Sequence, residues 1–254
     1  MSFKIQRKTI AGMEVDFVSP STPASPIPLL FIHGMWGNSS QFYEWIEFCH
    51  NSGIIAYAVN LPVKAGASIH DYAKAVESVI AVIGPVILVG HSMGGLVAQI
   101  VASRNTAVQK AIFIASAPAK GTKGKFLLNP FFWFHPTYLW AMLTGKLFKL
   151  ERSHALRYVL NGLDREVAAQ TFDSGGMESG RVLREIAIGV KVGRITCPTL
   201  VIGCEKDRIL PPSLQDNIAI LYQSDMILAD TGHTVQLEDY NEKVIGAIIR
   251  WARR

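Results

Sequence analysis

Short apolar runs recur along this chain, separated by stretches in which apolar residues repeat every three to four positions. The runs at 29–32, 54–59, 86–89, 108–114, 199–202 and 225–228 alternate with helical spacing at 39–51, 71–83, 93–104, 212–221 and 239–254. Strands without polar alternation need cover on both faces. Joining them through helices gives βαβ units, so the pattern predicts an α/β fold with a mostly parallel, doubly wound central sheet. Ahead of these units, segments 4–9 and 14–18 alternate charged and apolar residues around Ala11-Gly12, the signature of a hairpin. After Pro118 the rhythm stops. Residues 119–194 are rich in Phe, Trp, Leu and Arg and read as helical, so the expected organisation is a core domain, 1–118 and 195–254, with a helical cap inserted at 119–194. Within that insertion, 173–179 reads as a loop leading into a capped helix.

Composition narrows the class. Of 254 residues 49% are hydrophobic and 18% charged, which excludes disorder and supplies a sizeable core. The net charge of +5 comes from scattered lysines and arginines, with only short clusters such as Lys120, Lys123 and Lys125. Nucleic-acid binders concentrate charge on one element, so no nucleic-acid partner is expected. Three cysteines, Cys49, Cys197 and Cys204, at unpatterned spacing argue against a disulfide framework and against a metal site. Residues 1–10 lack the apolar core of a signal peptide, and no run is long enough to span a membrane. A cytoplasmic setting is the expectation.

The chemistry concentrates at the ends of the apolar runs. Gly90-His91-Ser92-Met93-Gly94-Gly95 falls between a strand and a helix. A strand that turns abruptly into a helix crowds the backbone around Ser92, and only glycine avoids the clash. Such a turn lifts the hydroxyl above the sheet edge and aims a helix N-terminus at it, where negative charge is favoured. By chance alone the bare G-x-S-x-G pattern occurs roughly 0.1 times in a chain this long. Its placement carries the weight. A serine nucleophile needs a base, and the chain holds seven histidines: His33, His50, His70, His91, His135, His154 and His233. His233 sits just past the last strand, within Asp230-Thr231-Gly232-His233-Thr234. Run 199–202 ends in Gly203-Cys204-Glu205-Lys206-Asp207-Arg208, and run 29–32 leads into His33-Gly34-Met35-Trp36-Gly37.

Together these pieces resemble the α/β-hydrolase superfamily, and the likeness extends over essentially the whole chain. It implies the order Ser…Asp/Glu…His, with Ser92 as nucleophile, His233 as base and Asp207 orienting the imidazole. Glu205 and Asp230 stand as rival acids. The oxyanion hole implied by the fold takes its N–H groups from Met93 and Met35, with Trp36 as the lesser alternative. His33 is read as packing its loop. Gly-His-Ser-Met-Gly-Gly is similar to the elbows of small carboxylesterases, monoacylglycerol-lipase-like enzymes and some thioesterases. Ser at 92 speaks against relatives whose covalent intermediate needs a carboxylate there. Where many relatives carry Gly-His-Gly, this chain has Asn60-Leu61-Pro62 running into 63–67.

The expected activity is therefore cleavage of a small carboxylic ester with a short-to-medium apolar acyl group, through an acyl-enzyme and without cofactor or metal. A thioesterase, or a hydroxynitrile lyase or cofactor-free oxygenase on the same fold, are the alternatives. Trp36, His91, Phe131, Trp133 and Trp140 are the candidate pocket residues. The aromatic density around 126–140 suggests an acyl pocket or a lid that touches a membrane surface transiently.

Overall fold

The computed structural model describes residues 4–123 and 135–254. β1 (Gln6–Ile10) and β2 (Met13–Val18) form the expected antiparallel hairpin, whose two turn residues, Ala11 and Gly12, both carry positive φ. β3 (Leu29–Ile32) is fully buried, and after it the chain makes a 3₁₀ turn at Ser39–Phe42, capped by Asn38, before α1 (Tyr43–Asn51). β4 (Ala56–Val59), α2 (Ile69–Ile83), β5 (Val86–His91), α3 (Met93–Ala102) and β6 (Val108–Ile114) continue the alternation. α2 starts two residues before the periodicity at 71–83 suggests. Ser68 and Asp71 cap each other's backbone N–H groups, a reciprocal box that starts the helix at Ile69.

Between β6 and β9 the described residues form α4 (Pro136–Thr144), β7 (Leu147–Phe148), the single turn α5 (Arg152–His154) running into a π turn at Ala155–Val159, α6 (Arg165–Ser174), β8 (Glu178–Ser179) and α7 (Gly180–Ile188). The expectation for 173–179 needs correcting: Asp173 and Ser174 end α6, and Glu178 and Ser179 pair with β7. The Ser179 hydroxyl does not cap α7; it donates to the Ala67 carbonyl instead. The chain then closes with β9 (Thr199–Cys204), α8 (Pro212–Tyr222), β10 (Asp225–Ala229) and α9 (Asn241–Ala252).

The sheet runs β1-β2-β4-β3-β5-β6-β9-β10, parallel throughout except for the pairings of β2. Two apolar layers cover it. Leu30, Ile32, Leu88 and Phe113 face a layer with α2 and α3, while Phe31, Val89, Ile112 and Ile202 face α1 and α9. Val182 and Ile186 of α7 belong to the first layer. The carboxyl end of β6 is braced by buried amides. Gln215 accepts from the Ser116 N–H and donates to its carbonyl, while Gln99 donates to the Ser116 hydroxyl and the Ala117 carbonyl.

Polar contacts fasten the elements between β6 and β9 to α2 and to the loop before it. The Ile69 N–H donates to Glu185, Arg181 donates to the Gly66 carbonyl, and the Tyr72 hydroxyl donates to Glu178 at 2.6 Å. Glu178 is fully buried, and one of its oxygens has no partner among the described residues. Burial pushes its carboxyl up to about 7, with the bonds from Tyr72 and the Ser179 N–H pulling the other way. A carboxyl that titrates higher in the folded chain holds its proton there while the unfolded chain has lost it. Its contribution to stability is thus complete below about pH 4.5 and disappears as the pH rises to about 7. Glu178→Gln should remove that dependence. Melting temperatures measured from pH 4.5 to 8 should show the variant gaining on the wild type as the pH rises, and parallel curves would contradict this account.

Candidate active site

The turn from β5 into α3 leaves no room for side chains at its glycines. A Cβ on Gly90 would lie 2.2 Å from the Gly94 carbonyl oxygen, and one on Gly94 would lie 2.3 Å from the Ile32 carbonyl oxygen. Glycine is required at both positions for α3 to approach β3 so closely. Ser92 is held between them at φ 55 and ψ −121, a conformation that costs a non-glycine residue of order 1–3 kcal/mol. Its N–H donates to the Ile114 carbonyl, and its own carbonyl accepts from Ala117. Only the hydroxyl remains directed away from the backbone ladder.

Three of the predicted residues come together at that point. The Ser92 hydroxyl lies 3.0 Å from His233 Nε2, and His233 Nδ1 lies 2.7 Å from Asp207 Oδ2. With a carboxylate at Nδ1, that nitrogen carries the proton and Nε2 accepts from the serine. Asp207 and His233 are both buried. The other Asp207 oxygen accepts the Ile209 and Leu210 N–H groups at 2.8 and 2.9 Å, which fixes the carboxylate plane. The rival acids lie elsewhere. Glu205 is exposed, and Asp230 forms an exposed ion pair with Lys206 at 2.7 Å.

The two neighbouring histidines are engaged in backbone contacts. His33 Nδ1–H donates to the Gly34 carbonyl at 2.8 Å, and Nε2 accepts from the Leu61 N–H, so the ring is neutral and packs its loop. Burial lowers it to about 4. His91 Nε2–H donates to the carbonyl of His233 at 2.8 Å, steadying the loop that carries His233, and burial lowers this ring to about 3. Glu238 adds a second tie by accepting the Gly232 N–H at 2.8 Å. Glu238 has no sequence motif around it that would have pointed to this contact.

A cavity of about 60 Å³ opens at Ser92. Met35, Trp36, His91 and Met93, all expected near the site, line it. Met93 opens α3, so its N–H has no acceptor within the helix. Trp36, at φ 59, lies where the loop after β3 folds back. The remaining walls, Val159, Leu160, Leu183, Ile186, Ile209 and Leu210, were not anticipated, because they reach the site from distant parts of the sequence. Trp140 is placed otherwise than expected. It is 47% exposed on the outer face of α4 beneath the Lys146 ammonium, and it lines neither this cavity nor the one beside it. Phe131 and Trp133 lie outside the described residues. No group of three or more His, Cys, Asp or Glu side chains suited to a metal ion occurs among the described residues.

A model of the alpha/beta hydrolase family matches residues 29–247. No curated protein matches the sequence. Among solved structures, the Paleococcus ferrophilus monoacylglycerol lipase is 17% identical, with 98% of each chain covered and a TM-score of 0.71. A thermophilic esterase from Thermogutta terrifontis is 18% identical over 99% of this chain and 98% of its own, with a TM-score of 0.71. The enol-lactonase from Burkholderia xenovorans LB400 is 16% identical over 98% and 100%, with a TM-score of 0.72. Likeness at such low identity concerns the fold. The family model, by contrast, takes in the sheet from β3 onward, the turn at Ser92, Asp207 and His233, and on that match the chain belongs to the alpha/beta hydrolase family.

Proposed function

We propose that this hydrolase cleaves carboxylic esters bearing a short-to-medium apolar acyl group, through a serine acyl-enzyme. The observation that carries the reading is the hydrogen-bonded line from Asp207 through His233 to Ser92, ending on a serine strained at a helix N-terminus. As Ser92 Oγ attacks the ester carbonyl, its proton passes to His233 Nε2, and Asp207 stabilises the imidazolium. The oxygen that becomes negative is held by the N–H groups of Met93 and Met35, assisted by the positive end of α3. Collapse of the tetrahedral adduct expels the alcohol, which takes the proton from His233. A water molecule then repeats the sequence in reverse and frees the acid.

The walls at Leu160, Leu183, Ile186 and Ile209 favour an alkyl chain over a polar one, and the small volume limits its length. Leu139, Trp140 and Leu143 stand exposed on α4, in keeping with transient contact between the inserted segment and a lipid surface. No helix among the described residues is long and apolar enough to cross a membrane.

Nitrophenyl esters of graded acyl length, assayed with wild type and Ser92→Ala, test the reading. Turnover should fall by about a thousandfold or more in the variant, and equal rates would refute it. Labelling of Ser92 by a fluorophosphonate without turnover of any ester or thioester would point to lyase or oxygenase chemistry instead. Asp207→Asn keeps the shape of the site but favours the wrong imidazole tautomer. Its kcat should drop by about 10²–10⁴ with KM little changed, as measured by steady-state kinetics.

A further inference from the structure

A second cavity, of about 40 Å³, lies beside the one at Ser92. Met35, Trp36, Gln41, Val159 and Leu160 line both, so the two chambers share one wall. The far chamber is apolar along Leu150, Ala155 and Phe172, and it carries a cation as well. The Lys149 ammonium sits 4.8 Å from the centre of the Phe172 ring. The same ring also receives the Arg152 guanidinium at 5.2 Å, but Arg152 is neutralised by Asp173 at 2.9 Å. Lys149 has no carboxylate partner among the described residues. Lys149 is an exposed residue that lines the chamber, so its charge is open to an anion at the chamber's mouth.

The wider charge distribution points the same way. Residues 119–194 hold twelve lysines and arginines against six carboxylates, whereas the rest of the chain holds thirteen against fourteen. The positive excess of the protein thus lies in the stretch of sequence that also supplies Lys149, Leu150, Ala155 and Phe172 to the second chamber. Such an excess draws anions toward the opening, and the ring beneath Lys149 keeps its stem in place.

We propose that the second chamber is a substrate subsite, and that the preferred substrates are esters carrying a carboxylate several atoms from the scissile carbonyl, seated at Lys149. An apolar chain would run along the wall formed by Trp36 and Leu160 and end on the ammonium. This inference rests on the ester-hydrolase reading above and adds the class of substrate to it.

Two matched series test it, both followed by pH-stat titration so that no chromophore occupies either chamber. One consists of alkyl esters of dicarboxylic half-acids beside their neutral alkanoate counterparts. The other consists of acetyl esters of ω-hydroxy acids beside acetyl esters of plain alcohols. In at least one series the anionic member should have a kcat/KM about tenfold or more above its neutral partner, with an optimum at one chain length. Lys149→Met should abolish that advantage while leaving the neutral esters unchanged, and so should raising the ionic strength in the wild type. Neutral esters turned over without any anionic preference, or a preference untouched by Lys149→Met, would overturn the subsite and leave the hydrolytic reading intact. If no ester is turned over and a fluorophosphonate fails to label Ser92, both fall.

Discussion

The site depends on how near α3 comes to β3. The first turn of the helix lies against the Ile32 and His33 carbonyls, at a distance that leaves no room for a methyl group on Gly94. That approach forces the chain to reverse within two residues of β5, and the reversal strains Ser92 into the left-handed region of backbone space. A serine anywhere else along β5 or α3 would have its hydroxyl packed against neighbouring elements. Here the backbone N–H and carbonyl are taken up by Ile114 at the end of β6 and by Ala117 just beyond it, and the side chain alone faces the space above the sheet edge. The strain is supported by the surrounding hydrogen bonds, notably the buried Gln99, Ser116 and Gln215 network under the end of β6.

The partners of Ser92 arrive by the same logic. β9 and β10 are parallel neighbours in the sheet, so their carboxyl ends lie side by side, and the loops leaving them place Asp207 and His233 next to each other. Each is then held from behind. Two backbone N–H groups grip the free oxygen of Asp207, and His91 and Glu238 tie down the loop of His233. Asp207 is positioned by backbone donors, and the loop of His233 by the neutral His91 ring and by the Glu238 carboxyl, whose pKa burial raises.

The segment between β6 and β9 works at two levels. Val182 and Ile186 of α7 enter the main apolar layer, while Val159, Leu160 and Leu183 close the chamber above Ser92. Its ties to the rest of the fold are polar and specific: Tyr72 to Glu178, Ile69 to Glu185, Thr234 to the Val159 carbonyl and Asn161 to the Lys206 carbonyl. The last two connect the roof directly to the loops that bear His233 and Asp207. A shift of the roof is therefore transmitted to the loops of His233 and Asp207.

Much of the fold was legible along the chain because strand, turn and helix signals are local. Run 29–32 is β3 as read, since a buried parallel strand announces itself by unbroken apolar residues, and 108–114 is β6, whose apolar stretch from Ala111 to Ile114 outweighs Gln109 and Lys110. Ser92, Asp207 and His233 could be picked out because each stands where an apolar run ends, next to glycines or turn residues. The start of α2 escaped notice because Ser68 and Asp71 outweigh the apolar period. Glu178 and Ser179 became strand residues through pairing with Leu147 and Phe148, thirty positions away, which no local pattern encodes. The chain by itself determined the alternating layers and which three side chains stand at strand ends, because these follow from backbone sterics and periodicity. Only the tertiary structure decided which apolar side chains wall the chambers, that Trp140 faces outward, and that Lys149 faces a cavity, because those depend on how residues far apart in sequence exclude one another from the same space.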